Sequence, residues 1–459
     1  MAKGKIILIV IVLLMFLMGL WSLVDCAPFS KCMWQKCNGK NCSVDADSAK
    51  KVTLKMVGSW DTQEDWKEII DAFKAYEVQN RGLNVTIEYE KLDKYNYEEI
   101  LLDRMLNKKS PDIFMIYNTW VPKYQQRIEP MPEGMVTLSQ FKEAFPQVAT
   151  DDLIVDDKIY SLPMYIDTLA LFYNKDMFAN AGIIKAPETW NEFVADVEKL
   201  TVFNESGGID RLGATMGGAE DVDRSQDIAM LIVMQNNKKA TLHNSQTLVS
   251  FDTAEARGAI KFYTDFANPA SKFYTWDYND KTYSIDLFTG LRSAMSINYS
   301  YEIENIQSKT GGSLNYAVAP VPQQYPNDKV NYVNYWSPVV SNNPSCIRQA
   351  GVTASCTDIA WDFIYFAAQS KNARSYIEST GRPAANLTLA EEQAGMDGSP
   401  LAPFATQILT AKSWANIDNE ENDDILLEMI DSIITTDKKV KKTVSQAMTI
   451  AKNQIKELN

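Results

Sequence analysis

Between Val52 and Ile116 the hydrophobic period of the chain switches four times, and no other feature restricts the fold as much. Val52 to Val57 reads as a strand, and Thr62 with Asp65 three positions later caps a helix whose Trp66, Ile69, Ile70, Phe73 and Tyr76 share one face. Val85, Ile87 and Tyr89 alternate as a second strand, Tyr97 to Leu106 forms a second helix, and Pro111 to Ile116 is apolar enough for a buried strand. Strands separated by helices pair in parallel, because each helix carries the chain back to its starting edge. The chain is therefore α/β, and in such sheets ligands gather at the loops beyond the strand ends. Its 459 residues allow two or three domains at ~100–200 residues each.

A second stretch, Asp157 to Thr201, joins its elements without slack. Ile159 to Pro163 is a short strand stopped by proline, and Leu169, Leu171 and Tyr173 alternate with Ala170, Phe172 and Asn174 across a buried strand. Met177 to Ala181 gives about one helical turn closed by Gly182, and Pro187 to Trp190 opens a helix with Phe193, Val194, Val197 and Leu200 inward. Trp190 reads as core. The residues Tyr173-Asn174-Lys175-Asp176-Met177-Phe178, Ala181-Gly182, Pro187 and Thr189 to Phe193 resemble the most recognisable block of the extracellular solute-binding proteins that feed sugar ABC importers, the group that includes maltose-binding protein. Phe288-Thr289-Gly290 with Ala294 to Asn298, and Ala319-Pro320-Val321-Pro322, are similar to two further blocks of that family. The resemblance runs from about residue 50 to the C-terminus.

That resemblance implies a two-lobed, periplasmic-binding-protein-like fold of type II, each lobe a mostly parallel sheet flanked by helices, joined by a multi-crossing hinge. Lobe 1 would comprise residues 51–165 and 318–370, and lobe 2 residues 169–315 and 372–459. The crossings would fall near Met164 to Thr168, Tyr316 to Val321 and Ala367 to Lys371. It also implies a monomer that binds a carbohydrate between its lobes, uses no cofactor, catalyses nothing, and passes the ligand to ABC permease subunits.

Composition agrees with the classes it leaves open. A net charge of −14 and a pI near 4.8 exclude a nucleic-acid partner, because phosphate binding needs clustered Lys and Arg, and Lys438-Lys439 with Lys441-Lys442 is a solvated helix face. The single histidine, His243, has no cysteine near it in sequence, so no metal site is expected. Lys3 and Lys5 precede an uncharged apolar run, Ile6 to Val24, long enough to span ~30 Å of hydrocarbon. Residues 1–25 are thus an anchor or signal segment, and the chain from Asp25 onward is expected on the extracytoplasmic face of the membrane. Cys26 at the end of Leu23-Val24-Asp25-Cys26 offers lipidation as the other means of tethering. Residues 26–50 form a tether with Cys26, Cys32, Cys37 and Cys42, and Cys346 with Cys356 reads as a disulfide staple across a hairpin.

A sugar offers hydroxyls to planar polar side chains and a C–H face to aromatic rings. Trp60 and Asp61 follow the first strand, Asn118, Thr119 and Trp120 follow the third, and Tyr165 and Asp167 lie in the first crossing. Tyr299 and Tyr301 end the second family block, and Trp336 lies in the last large strand. Carried over from the family, Asp61, Thr119, Trp120, Asp167 and Tyr301 fall on sugar-contact positions, although Thr119 and Trp120 replace charged contacts. Arg382, in Thr380-Gly381-Arg382-Pro383, reads as a loop-fixing ion pair near the cleft. Other readings remain: a surface sensor or adhesin, a polyamine or peptide binder on the same fold, and a glycosidase, for which no particular carboxylate pair is marked.

Overall fold

The computed structural model of the chain describes residues 48–237, 251–414 and 419–458. The apolar run and the cysteines at 26, 32, 37 and 42 lie outside the described residues, and among the described residues no helix is long and apolar enough to cross a membrane.

The switching period between residues 52 and 116 folds as read. β1 (Lys50–Gly58) pairs in parallel along its length with β2 (Leu83–Lys91), and its far end pairs in parallel with β3 (Ile113–Tyr117). The helices Gln63–Arg81 and Tyr97–Leu106 make the connections. Asp65 Oδ2 accepts from Thr62 N at 2.8 Å and Thr62 Oγ1 accepts from Asp65 N, which completes the capping box. Trp66, Ile69, Ile70 and Phe73 are buried as expected, whereas Tyr76 is half exposed at the edge of the apolar stripe, with its ring 5.3 Å from that of Phe366.

The remaining strands of interest, numbered along the chain, are β4 (Asp167–Thr168), β5 (Ala170–Asn174), β6 (Met295–Asn298), β7 (Tyr316–Pro320), β8 (Asn331–Asn334), β9 (Trp336–Ser341), β10 (Ile347–Arg348) and β11 (Ala411–Lys412). β9 returns antiparallel beside β3, and β10 adds antiparallel to the start of β1. A disulfide between Cys346 and Cys356, with Cα atoms 5.7 Å apart, ties β10 to the helix Cys356–Ala368. The first lobe is thus mixed, with a parallel centre. In the second lobe β5 lies between β6 and β7 and is antiparallel to both, so the expectation of a mostly parallel sheet there is corrected. The helix Glu302–Thr310 joins β6 to β7 and makes those two co-directional, while β5 enters between them from the hinge in the opposite sense.

The buried apolar residues fall into separate clusters, one around Trp66, Phe114 and Trp361, a second around Phe193, Leu231 and Tyr263, and a small third around Phe172, Phe288 and Phe404. Between the first two β8 pairs antiparallel with β4 and parallel with β11. These strands carry the chain across three times, at Asp167–Thr168, Asn331–Asn334 and Ala411–Lys412. The implied crossings near Tyr316 to Val321 and Ala367 to Lys371 are not where these strands lie. β7 belongs to the second lobe through its pairing with β5, and Val321 and Val330 pack there too. Tyr376, Ile377, Ala384 and Leu389 pack in the first cluster, so residues from 372 to about 390 belong with lobe 1, not lobe 2. Gln407 pins the hinge: its Nε2 donates to Thr168 Oγ1 and to Leu169 O, both at 3.0 Å, and its Oε1 accepts from Val321 N at 2.9 Å.

Candidate ligand cleft

Beside the hinge, residues of both lobes enclose a cavity of about 630 Å³, within the ~300–1,000 Å³ usual for small-molecule sites. Seven of the sequence-derived candidates line it: Trp60, Tyr165, Asp167, Tyr299, Tyr301, Trp336 and Arg382. Trp60 comes from the loop after β1 and is 40% exposed; Tyr301, from the loop after β6, is 41% exposed. Two large rings left half in water, one on each lobe, present the apolar faces that a sugar ring stacks on.

Trp336 closes the wall on the lobe 1 side. Its ring stands edge-on to those of Tyr97, Tyr117 and Trp120 at 5.3, 6.0 and 5.4 Å, so it is fixed from three directions. Tyr165 packs its ring 4.3 Å from the Arg382 guanidinium carbon, and its hydroxyl accepts from Trp336 N at 3.2 Å. Arg382 Nη1 donates to Asp61 Oδ1 and to Tyr376 Oη, both at 2.7 Å, which is the loop-fixing ion pair the sequence indicated.

Four candidates lie behind the wall instead of on it. Asp61 spends its carboxylate on Arg382, Tyr376 and Trp66. Asn118 donates to Asp152 Oδ2 at 2.8 Å and to Ser413 Oγ at 2.9 Å. Thr119 is buried, and Trp120 is 4% exposed, stacked on Tyr124 at 5.7 Å and supporting Trp336 from the rear. The turn after β3 folds back into the short helix Val121–Tyr124, which draws Trp120 inward.

Asp167 does line the cleft, yet its bonds are internal. Ser300 donates through Oγ at 2.7 Å and through N at 3.0 Å to Oδ2, and Thr168 N donates to Oδ1 at 2.9 Å. Burial still outweighs these donors and pushes its carboxyl up to about 7. The sequence assigned this carboxylate to the ligand; in the fold it lines the cleft and also ties the first crossing to the loop after β6.

Lobe 2 adds Asp223, Arg224 and Glu302, and the hinge adds Asn334, none of which the sequence singled out. Arg224 sits at φ +60, an uncommon left-handed position for a non-glycine residue, immediately before the buried helix Ser225–Asn236. Its Nε donates to Tyr301 Oη at 3.0 Å, and its guanidinium carbon lies 5.7 Å from the ring centres of both Tyr299 and Tyr301. Tyr299 is fully buried and donates to Asp227 Oδ2 at 2.8 Å, which orients the ring beside Tyr301. One signal for Arg224 was in the sequence: a charged pair, Asp223-Arg224, placed one turn before the apolar run Ile228 to Met234. Glu302 follows Tyr301 and was equally visible.

A family model for bacterial extracellular solute-binding proteins matches residues 68–401. The chain belongs to this family. As a solute-binding protein it has relatives that each share part of its length. A putative binding protein of Brucella abortus is 30% identical over 136 residues, 28% of this chain and 30% of that one, so the alignment spans under a third of the relative. The galactooligosaccharide-binding protein of Bacillus subtilis is 23% identical over 339 residues, 71% of this chain and 73% of that protein. Among solved structures, the cyclic α-maltosyl-1,6-maltose binding protein from Arthrobacter globiformis superposes with a TM-score of 0.69 at 16% identity, covering 89% of this chain and 99% of that one. At that identity the likeness shows the shared two-lobed α/β fold.

Proposed function

We propose that the protein is the extracytoplasmic substrate-binding component of an ABC importer, and that it captures a carbohydrate, an oligosaccharide in particular, between its lobes. The observation that carries this reading is the pair of half-exposed rings, Trp60 and Tyr301, facing one cavity from opposite lobes with planar polar groups between them. A ligand that touches both lobes favours the closed arrangement by its differential affinity, and a permease can then discriminate the loaded state. The Bacillus relative, named for galactooligosaccharides, and the Arthrobacter structure, named for a cyclic maltosyl-maltose, support the sugar class. Either the apolar run Ile6 to Val24 or a lipid on Cys26 would hold the chain at the membrane.

Thermal shift and intrinsic tryptophan fluorescence of the full-length chain against mono- and oligosaccharides test the reading. A saturable shift with one sugar class is expected, since ligand stabilises the folded state by mass action. Trp60→Ala and Tyr301→Ala should each weaken it about tenfold or more, as loss of a central aromatic contact does at ~1.4 kcal/mol or above. Binding that ignores both substitutions would place the ligand elsewhere, and a panel with no sugar response would remove the carbohydrate assignment.

A further inference from the structure

The charges around the cleft are segregated by lobe. Lobe 1 presents Lys94 and Arg382, and Arg382 is already paired with Asp61. Lobe 2 presents Glu220, Asp223, Glu302 and Glu304, with Arg224 the one cation among its described lining residues. Arg224 is engaged by the two tyrosine rings and by Tyr301 Oη. Behind Tyr299, the buried Asp227 and the half-buried Asp423 add further acid to the same wall, and Gln226 Nε2 donates to Asp423 Oδ2 at 3.1 Å.

Glu302 is where this excess is least answered. It lines the cleft, is only 4% exposed, and opens the helix Glu302–Thr310. Asn298 Nδ2 donates to Oε1 over a long 3.3 Å, and Oε2 has no hydrogen-bond partner among the described residues. The charged groups facing it are Asp223, Arg224 and Lys309, and Lys309 is held 2.8 Å from Asp286 Oδ1. Burial, and then repulsion from Asp223, push the Glu302 carboxyl up to about 7. A buried acid surrounded by more acid is stabilised by an added positive charge.

A metal ion does not suit this wall. Among the described residues the only compact grouping of ligand-type side chains is Asp112 with Cys346 and Cys356, in lobe 1, and those two sulfurs are joined in a disulfide. The cleft carboxylates are dispersed, which fits an organic cation with spread donors. An ammonium group brings a charge and three donors, whereas a hydroxyl brings one donor and no charge.

We propose that the Glu302–Asp223 side of the cleft is a subsite for a protonated amine, and that the ligand is an amine-bearing saccharide of the glucosamine type. The proposal rests on the carbohydrate reading above: Trp60 and Tyr301 take the sugar faces, and Glu302 takes the amine.

Isothermal titration of the full-length chain with the β-1,4-linked glucosamine disaccharide, its N-acetylated form and spermidine tests it. These probes separate charge from ring shape and from amine alone. The free-amine disaccharide is expected to bind at least tenfold more tightly than the acetylated one at pH 7.5. This preference should shrink toward pH 5.5 as Glu302 takes up a proton, and binding near pH 7 should release protons to buffer. Glu302→Gln should reduce the preference about tenfold; Asp223→Asn should reduce it in the same direction and serves if the first variant misfolds. Equal or tighter binding of the acetylated disaccharide overturns the amine subsite and leaves the carbohydrate reading standing. Binding of spermidine without any sugar overturns the saccharide ligand and with it the carbohydrate reading, and an inert panel overturns both the subsite and that reading.

Discussion

Arg382 reaches the cleft with its guanidinium already bonded to Asp61 and Tyr376 at 2.7 Å and packed on Tyr165. Asp61 in turn is 3% exposed and accepts from Trp66 Nε1 at 3.1 Å. Removing one member of such a buried pair leaves the other charge without its counter-ion, at a cost of ~3–5 kcal/mol. Asp61→Ala is therefore expected to lower unfolding free energy by about that amount in a denaturant titration. Trp60→Ala, at a half-exposed ring, should cost no more than ~1 kcal/mol and act on binding instead. Comparable stability losses in the two variants would contradict this division between fold and cleft. The same contrast explains why candidate residues could be named but not sorted. Trp60 and Trp120 both follow a strand end beside polar residues, and only the helical turn at Val121–Tyr124 swings the second ring inward. Local sequence identifies loops that reach a cleft; which side chain faces it depends on backbone direction over one or two residues.

At the level of elements, the features with their own local chemistry were legible. Thr62-x-x-Asp65 and Thr189-x-x-Glu192 both form capping boxes, and the period switches between residues 52 and 116 give the strands and helices they indicate. The hinge was legible only in part. β4 and β11 are two residues each and β8 is four, too short for any period, and what holds them is long-range pairing plus Gln407. The antiparallel entry of β5 depends likewise on where the hinge delivers the chain. The Cys346–Cys356 staple is an element-scale feature whose value follows from its loop. With ten residues of separation, loop-closure entropy assigns ~3 kcal/mol to the cross-link. Cys356→Ser is expected to lower stability by roughly 2–4 kcal/mol and to loosen β10 from β1, read as faster amide exchange at Val52 and Thr53, which pair with Arg348 and Ile347. Unchanged exchange at those positions would mean that strand pairing alone holds this edge.

Across the whole molecule, carboxyls whose protonation is favoured by burial are distributed over both lobes and the hinge. Burial is the first cause raising the carboxyls of Glu77, Asp167, Glu302 and Asp423 to about 7, while unfolded carboxyls titrate near ~4. Between those limits the folded chain holds protons that the unfolded chain has released, so stability must fall as pH rises from about 4 to about 7. Asp65, Glu90 and Asp280 are lowered instead, each by hydrogen bonds or a nearby arginine, and their contribution is lost only as pH falls below about 4. The two sets place the stability maximum on the acid side of neutrality. A net charge of −14 pushes the same way through self-repulsion, but that part is screened by salt, whereas the buried carboxyls are not. Melting temperature without ligand should therefore peak near pH 4, at about the unfolded carboxyl range, and decline toward pH 8. The decline should persist in 0.5 M salt, where the Debye length is below about 8 Å. Asp167→Asn should flatten it, because Ser300 can still donate to the remaining amide oxygen and no ionisable group is left at the first crossing. A melting temperature that climbs from pH 5 to pH 8, or a decline that salt abolishes, would show that these acids are solvated in the folded state and would weaken the case for an amine at Glu302.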